Sequence, residues 1–404
     1  MTLGNTTKLF SGPRPVHWVE HSHARHSAAG CCPVARSVYW DKPNHRCCPT
    51  KRHILQPLAP HGGSNWEDAS LRNRSILMVG DSMLEQSFVG LACLGWPVRD
   101  ATLPEVEALN TTWLRAFWGP KVRLHRDTDR AWRVTMWPWN VSVTYVFAGH
   151  LSRFTSRAAA LADAATASGA ARAADHGSPH SVATADDPRV ASSSSPPGSP
   201  LLTLLRSEQT LLLLGGFSWG LPARGDLRTT LDWLDGSWPR LLRERTLVAE
   251  QMPSHFPGGA YRPGSSPLYP TANSTIAGAL CSLAADLRPK RPGGTSANGT
   301  YFHSPVTNHE LLEFNGMLAE EAASRSLSLG VLPLAELYSS RGDAHIEHEL
   351  EPLSSSSTGL VHTASAASGG RRDCLHLCVA PGVLDAMAMA TLAQLAWGLR
   401  IGYK

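Results

Sequence analysis

Two short stretches combine residue types that can do covalent chemistry. The first is Gly80-Asp81-Ser82, which directly follows the apolar run Ile76-Leu-Met-Val79. The second is Asp373-Cys-Leu-His376, near the end of the chain. A serine becomes a nucleophile when a histidine takes its proton, and that histidine works best when a third group orients it. In chain order the residues read Ser, Asp, His. A step of three residues lets one tight turn or one helical turn present Asp373 and His376 on the same side. Cys374 and Cys378 would pin such a loop through disulfides. If a helix starts at Ser82, its first backbone N–H groups can stabilise an oxyanion.

Each stretch also has a second reading. Ser82 can be an ordinary helix N-cap. The residue two places on is Leu84, so the G-x-S-x-G elbow of α/β-hydrolases is absent. Cys374, His376 and Cys378 are all possible zinc ligands. Their C-x-H-x-C spacing is not a standard structural zinc pattern, and no metal is expected.

Such residues need rigid elements to hold them. Residues 75–80 are short, apolar and end in Gly, which reads as a buried strand. Residues 83–93 read as the helix after it. Further strands are expected at 139–147, 210–214, 246–250 and 329–334. Residues 225–244 read as a helix. Residues 310–325 form an amphipathic helix with Leu311, Phe314, Leu318 and Ala322 on one face. A last helix covers about 383–399. Strands alternating with helices predict an α/β fold, a three-layer sandwich with a mainly parallel sheet. In open sheets of this kind ligands bind at the carboxyl ends of the strands, where Ser82 falls. Residues 1–70 read as a Cys-rich, loop-dominated lead-in, and 71–404 as the catalytic domain. Flexible low-complexity insertions are expected at about 156–200 and 353–370.

Composition narrows the function classes. Of 404 residues, 42% are hydrophobic and 17% charged, and the net charge is +4. The basic residues are scattered, so a nucleic-acid groove is not expected. No apolar run reaches the ~18 residues of a membrane span. The nearest, 383–399, carries Asp385 and Gln394. Residues 1–20 contain no apolar core of a signal peptide. Eight Cys and six N-x-S/T sequons, at Asn5, Asn73, Asn110, Asn140, Asn273 and Asn298, nevertheless favour an oxidising lumen with disulfides and glycans.

VGDSMLEQSF and DCLHLCVAPGVLD resemble the paired GDS and D-C-x-H-x-C-x-P-G-x-x-D blocks of the PC-esterase superfamily. Its best-known branch is the plant trichome-birefringence-like polysaccharide O-acetyltransferases. EQMPSHFPGG is similar to that family's S-P-x-H-F-x-x-G loop, and SRGDAH (340–345) to its R-x-D-x-H stretch. Cys93 fits its disulfide-tied lead-in. The likeness spans roughly 31–155 and 205–400. It implies an SGNH/GDSL-like fold, with Ser82 as nucleophile, His376 as base and Asp373 as its orienter. It also implies a double displacement in the Golgi lumen. Acetyl passes from a donor, acetyl-CoA at family level, to the serine and then to a carbohydrate hydroxyl.

The chain departs from the family pattern at several places. Glu85, Gln86 and Ser87 stand where the family has R-N-Q, and Leu214 where it has an oxyanion-hole Asn. Val379 and Ala380 fill a one-residue gap, and Ala386 follows Asp385 in place of Trp. The oxyanion hole then rests on the backbone N–H groups of Ser82 and Gly216, or on a side chain elsewhere. His255 reads either as a contact to substrate or as a loop histidine bonded to backbone. Trp219 reads either as a platform for a sugar ring or as a core residue. The same triad also serves an acetylesterase, and a non-catalytic glycan-binding relative is the third reading.

Overall fold

The computed structural model describes residues 18–21, 54–57, 69–94, 106–108, 111–118, 124, 129–136, 139–176, 199–215, 223–255, 260–261, 285, 287, 306–339, 345–346, 373–377 and 383–402. Of residues 373–377 it describes the backbone alone.

Two short strands in the lead-in, β1 (Trp18–His21) and β2 (Ile54–Pro57), pair antiparallel. The main sheet starts with β3 (Ser75–Gly80), followed at once by α1 (Ser82–Leu94). Next come β4 (Val106–Ala108), α2 (Thr111–Trp118), β5 (Ala131–Met136) and β6 (Val141–Phe147). The helices α3 (Leu151–His176) and α4 (Pro200–Arg206) lead to β7 (Thr210–Gly215). Then α5 (Ala223–Ser237) and α6 (Pro239–Arg245) lead to β8 (Thr246–Ala249). A small antiparallel pair, β9 (Ala260–Tyr261) and β10 (Val306–Thr307), precedes α7 (Asn308–Ser324). The chain continues through β11 (Val331–Leu332) and α8 (Leu334–Ser339). It then makes the pair β12 (His345–Ile346) and β13 (Asp373–Leu377) and ends in α9 (Val383–Gly402).

The seven-stranded sheet runs β11-β8-β7-β3-β6-β5-β4. The five strands from β11 to β6 are mutually parallel, and β5 is antiparallel to both of its neighbours. Numbered by chain order, the parallel strands read 2-1-3-4-5, one of the two common doubly wound orders. Its switch point lies between β3 and β7, where the chain leaves in opposite directions.

Strand alternation explains the layers. Ile76 and Met78 of β3, with Leu211 and Leu213 of β7, face α1, α8 and α9. Leu77 and Val79, with Leu212 and Leu214, face α2, α3, α4, α5 and α6. Both faces are covered, so the four residues in the middle of each strand are all apolar. The chain is thus α/β with a mostly parallel sheet between two helical layers. Each of these buried aliphatic side chains contributes about 1.5–3 kcal/mol.

Several expectations need correction. The helix read over 225–244 is two helices, because Pro239 cannot continue α5 but suits the first turn of α6. The insertion expected from about 156 is helical as far as His176. Alanine is the strongest helix former, and Arg153 and Arg157 anchor the first turns by ion pairs to Asp129. Strands β4 and β5 and helix α2 carry no clear period in the sequence, since their apolar residues are interrupted by Arg and Glu. Residues 353–370 lie outside the described residues. No described helix is long and apolar enough to cross a membrane.

Candidate active site

The site begins where β3 ends. Gly80 and Gly215 are register partners on β3 and β7. A Cβ on Gly80 would lie 2.0 Å from Gly215 O and 2.8 Å from Leu84 Cδ2. One on Gly215 would lie 2.9 Å from Ala249 Cβ. The two glycines therefore let three strand ends and the first turn of α1 close together at the switch point.

Asp81 is fully buried, and its Oδ1 accepts a hydrogen bond of 2.9 Å from Met83 N–H. That is the work of an N-cap. The cap of α1 is Asp81, so the N-cap reading of Ser82 is corrected. Ser82 is the first helical residue and is half-buried. Its backbone N–H is among those that a helix start leaves without intrahelical partners. The Tyr145 hydroxyl, buried on β6, donates to Asp81 O at 2.8 Å and reaches Gly80 O at 3.2 Å. The neighbouring strand thereby ties down the backbone just before Ser82.

One turn further on, Glu85 is 2% exposed. Arg130 Nε donates to Glu85 Oε1 at 2.7 Å and its Nη2 donates to Oε2. Trp132 Nε1 donates to Oε1 at 3.0 Å. The Arg130 guanidinium also sits 4.4 Å from the Phe147 ring centre, at the carboxyl end of β6. These contacts fasten the start of α1 to the antiparallel side of the sheet. A lone Glu in an apolar helix was the only sequence signal for this clamp; its partner, 45 residues away, gave none.

The second chemical stretch comes close at the level of the backbone. Strand β13, which carries Asp373 and His376, lies against α1, and α9 packs along the same helix. The expected tight turn or helical turn is replaced by a strand. Its pairing with β12 is interrupted: His345 faces Leu377 and Ile346 faces Asp373, so the register shifts across residues 374–376. The side chains of Asp373 and His376, those of all eight cysteines, and the residues Gly216 and Trp219 lie outside what is described.

His255 is fully buried, and its Nε2 donates to Ser339 O at 3.0 Å. Its ring meets Tyr338 edge-on. The loop that carries it is held by two asparagines two helical turns apart on α7. Asn315 Oδ1 accepts from Gln251 N–H at 2.8 Å and its Nδ2 donates to Gln251 O at 2.9 Å. Asn308 does the same for Ser254, at 2.8 Å in each direction. A buried Asn satisfied on both sides in this way works as a backbone clamp. Leu214 is fully buried in the layer facing away from α1 and offers no donor.

No family model matches this sequence, and neither does any curated protein. Function has to be read from the residues themselves.

Just beyond β8, Glu250 Oε2 accepts from Ala335 N–H at 3.0 Å. Burial, with a smaller contribution from Glu336, pushes its carboxyl above the usual range, against the pull of that amide. Among the described residues no group of three or more His, Cys, Asp and Glu is arranged to hold a metal ion. What the carboxyl end of the sheet does offer is a serine hydroxyl at a helix start, a firmly held backbone beneath it, and β13 packed against the same helix.

Proposed function

We propose that this chain is an O-acetyltransferase of the SGNH-like, PC-esterase type, moving acetyl to a carbohydrate hydroxyl through an acyl-serine. The observation that carries this reading is the presentation of Ser82. It stands at the first position of α1, capped by Asp81, at the switch point of a doubly wound sheet. The approach of β13 to α1 supports Asp373 and His376 as its partners.

In the first half-reaction His376 takes the proton of Ser82 while Oγ bonds to the donor carbonyl carbon. The carbonyl π pair moves onto oxygen. Collapse restores the C=O bond, and the donor's leaving group departs with the proton. In the second half the sugar hydroxyl attacks the acyl-serine, His376 takes its proton, and Ser82 Oγ leaves and is protonated. Asp373 keeps His376 in the working tautomer. Water in place of the sugar would make the same site an esterase. A lumenal, Golgi setting goes with this reading and draws on the cysteines and sequons.

The test is intact-mass spectrometry of the protein after exposure to 4-nitrophenyl acetate. The wild type should gain one acetyl group and Ser82→Ala none. Added glycan should then carry the label away as an ester, whereas release as free acetate alone would assign an esterase. Equal acetylation of Ser82→Ala would refute the nucleophile.

A further inference from the structure

Tyr145 is fully buried on β6, with its ring centre 5.9 Å from that of Phe88 on α1. Packing alone would be served equally by a phenylalanine. A buried hydroxyl is costly to desolvate and has to be given a partner. This one donates to Asp81 O at 2.8 Å and reaches Gly80 O at 3.2 Å. Neither carbonyl depends on it. Asp81 O also accepts from Glu85 N–H at 3.0 Å, and Gly80 O from Ala148 N–H at 2.7 Å. The hydroxyl is thus a second donor on carbonyls that the helix and the sheet have already satisfied.

Its use follows from the peptide it holds. Asp81 C=O and Ser82 N–H are the two ends of one planar group. A donor on the oxygen of a peptide fixes its plane and polarises it, so that its N–H donates more strongly in turn. Here the oxygen takes two donors, one from within α1 and one from β6. Asp81 Oδ1 meanwhile accepts from the next N–H, that of Met83. The turn that carries Ser82 is therefore held by the helix, by its cap and by the neighbouring strand. An oxyanion is best stabilised by donors that are already oriented when its charge develops.

We infer that Tyr145 is a positioning residue of the Ser82 site: through Asp81 C=O its hydroxyl orients Ser82 and strengthens the Ser82 backbone N–H as a donor to the oxyanion. This rests on Ser82 being the nucleophile. Tyr145 acts through the peptide and touches no reacting atom. Its effect falls on the transition state rather than on substrate binding, because a ground-state carbonyl oxygen carries far less charge than the oxyanion.

The experiment compares wild type and Tyr145→Phe, each as the full chain. Acetyl-serine formation is followed by intact mass over a series of 4-nitrophenyl acetate concentrations. Three quantities are read: the limiting rate constant, the half-saturating concentration and the final acetyl-serine per chain. Tyr145→Phe keeps the ring and leaves both carbonyls their backbone donors, so it should fold and reach the wild-type final amount. Its limiting rate constant should be about 3–10-fold lower, the share of one hydrogen bond, at the wild-type half-saturating concentration. A purely structural role would instead lower the final amount, through chains that do not fold, and leave the rate constant of the rest unchanged. That result overturns the inference, as does a change in half-saturating concentration alone. Acetylation of Tyr145→Phe at the wild-type rate overturns it too and leaves Ser82 standing. A wild type that forms no acetyl-serine removes both.

Discussion

The two ends of the parallel sheet are built on opposite plans. At the amino end β3 and β6 are joined by matched pairs. Asn73 and Asn140 both take the left-handed conformation, with φ of 59° and 53°. Asn140 Nδ2 donates to Asn73 Oδ1 at 3.0 Å. Two residues on, Ser142 Oγ donates to its register partner Ser75 Oγ, also at 3.0 Å. Asparagine visits this conformation more easily than other residues with a side chain, so each Asn turns the chain into its strand and bonds its twin. At the carboxyl end side chains are removed rather than matched. Gly80 and Gly215 make room, Gln251 keeps an unpaired amide, and Glu250 carries a carboxyl that burial disfavours in its charged form. Thr210 Oγ1 is the one described unpartnered atom at the amino end. One end closes on itself; the other retains an unpaired amide and a buried carboxyl.

The sharpest way to break this contrast is to put a side chain back. In Gly80→Ala the new Cβ meets Gly215 O at 2.0 Å, a backbone atom held in the sheet. Overpacking usually costs about 1–3 kcal/mol; with no side chain able to yield here, a loss of about 3 kcal/mol or more is expected in urea unfolding. Gly225→Ala and Gly236→Ala are the controls. They lie in α5 with nothing within 4 Å of the added Cβ, and should gain up to about 0.5–1 kcal/mol from helix propensity. A Gly80→Ala protein as stable as wild type would show that the strand ends are not this close.

The parts visible in the sequence were those whose signal is local. The apolar runs of β3, β7 and β8 and the helices α1, α7 and α9 were readable because burial on one or both faces leaves a period. The start of α7 is also written locally: Thr307-Asn-His-Glu310 is a capping box, although the apolar period points only to a start at 310. What was not readable depends on distant partners. Arg130 has no meaning until β5 places it on Glu85, and Asn315 none until α7 crosses the 251–255 loop. The asparagines at 73 and 140 stand in glycan sequons, yet each has a structural use in the turn before a strand. Neither residue type nor spacing separates those two uses.

The matched end can be tested with a double-mutant cycle. Asn73→Gly and Asn140→Gly keep the positive φ without strain and remove the amide pair. The pair is exposed, so a coupling of about 0.5 kcal/mol is expected between the two substitutions. Additive effects would mean that the asparagines serve only their own turns, and the ends of the sheet would differ less than described.

The smallest effect is the one at Glu250, and its pH dependence is what identifies it. Its carboxyl in the folded protein titrates above the ordinary value of 4.5, chiefly through burial. Below that ordinary value the group is protonated folded and unfolded, and it contributes nothing. As pH rises past it, the unfolded chain releases the proton first, so stability falls until the folded carboxyl also ionises. Above the folded value the loss is complete. Gln at 250 still accepts from Ala335 N–H and carries no charge at any pH. Glu250→Gln should therefore exceed wild type in Tm at neutral pH, and the two melting curves should converge on acidification to about pH 4. A difference that stays constant over that range would come from packing, and the carboxyl end would then owe its cost to Gln251 and the glycines alone.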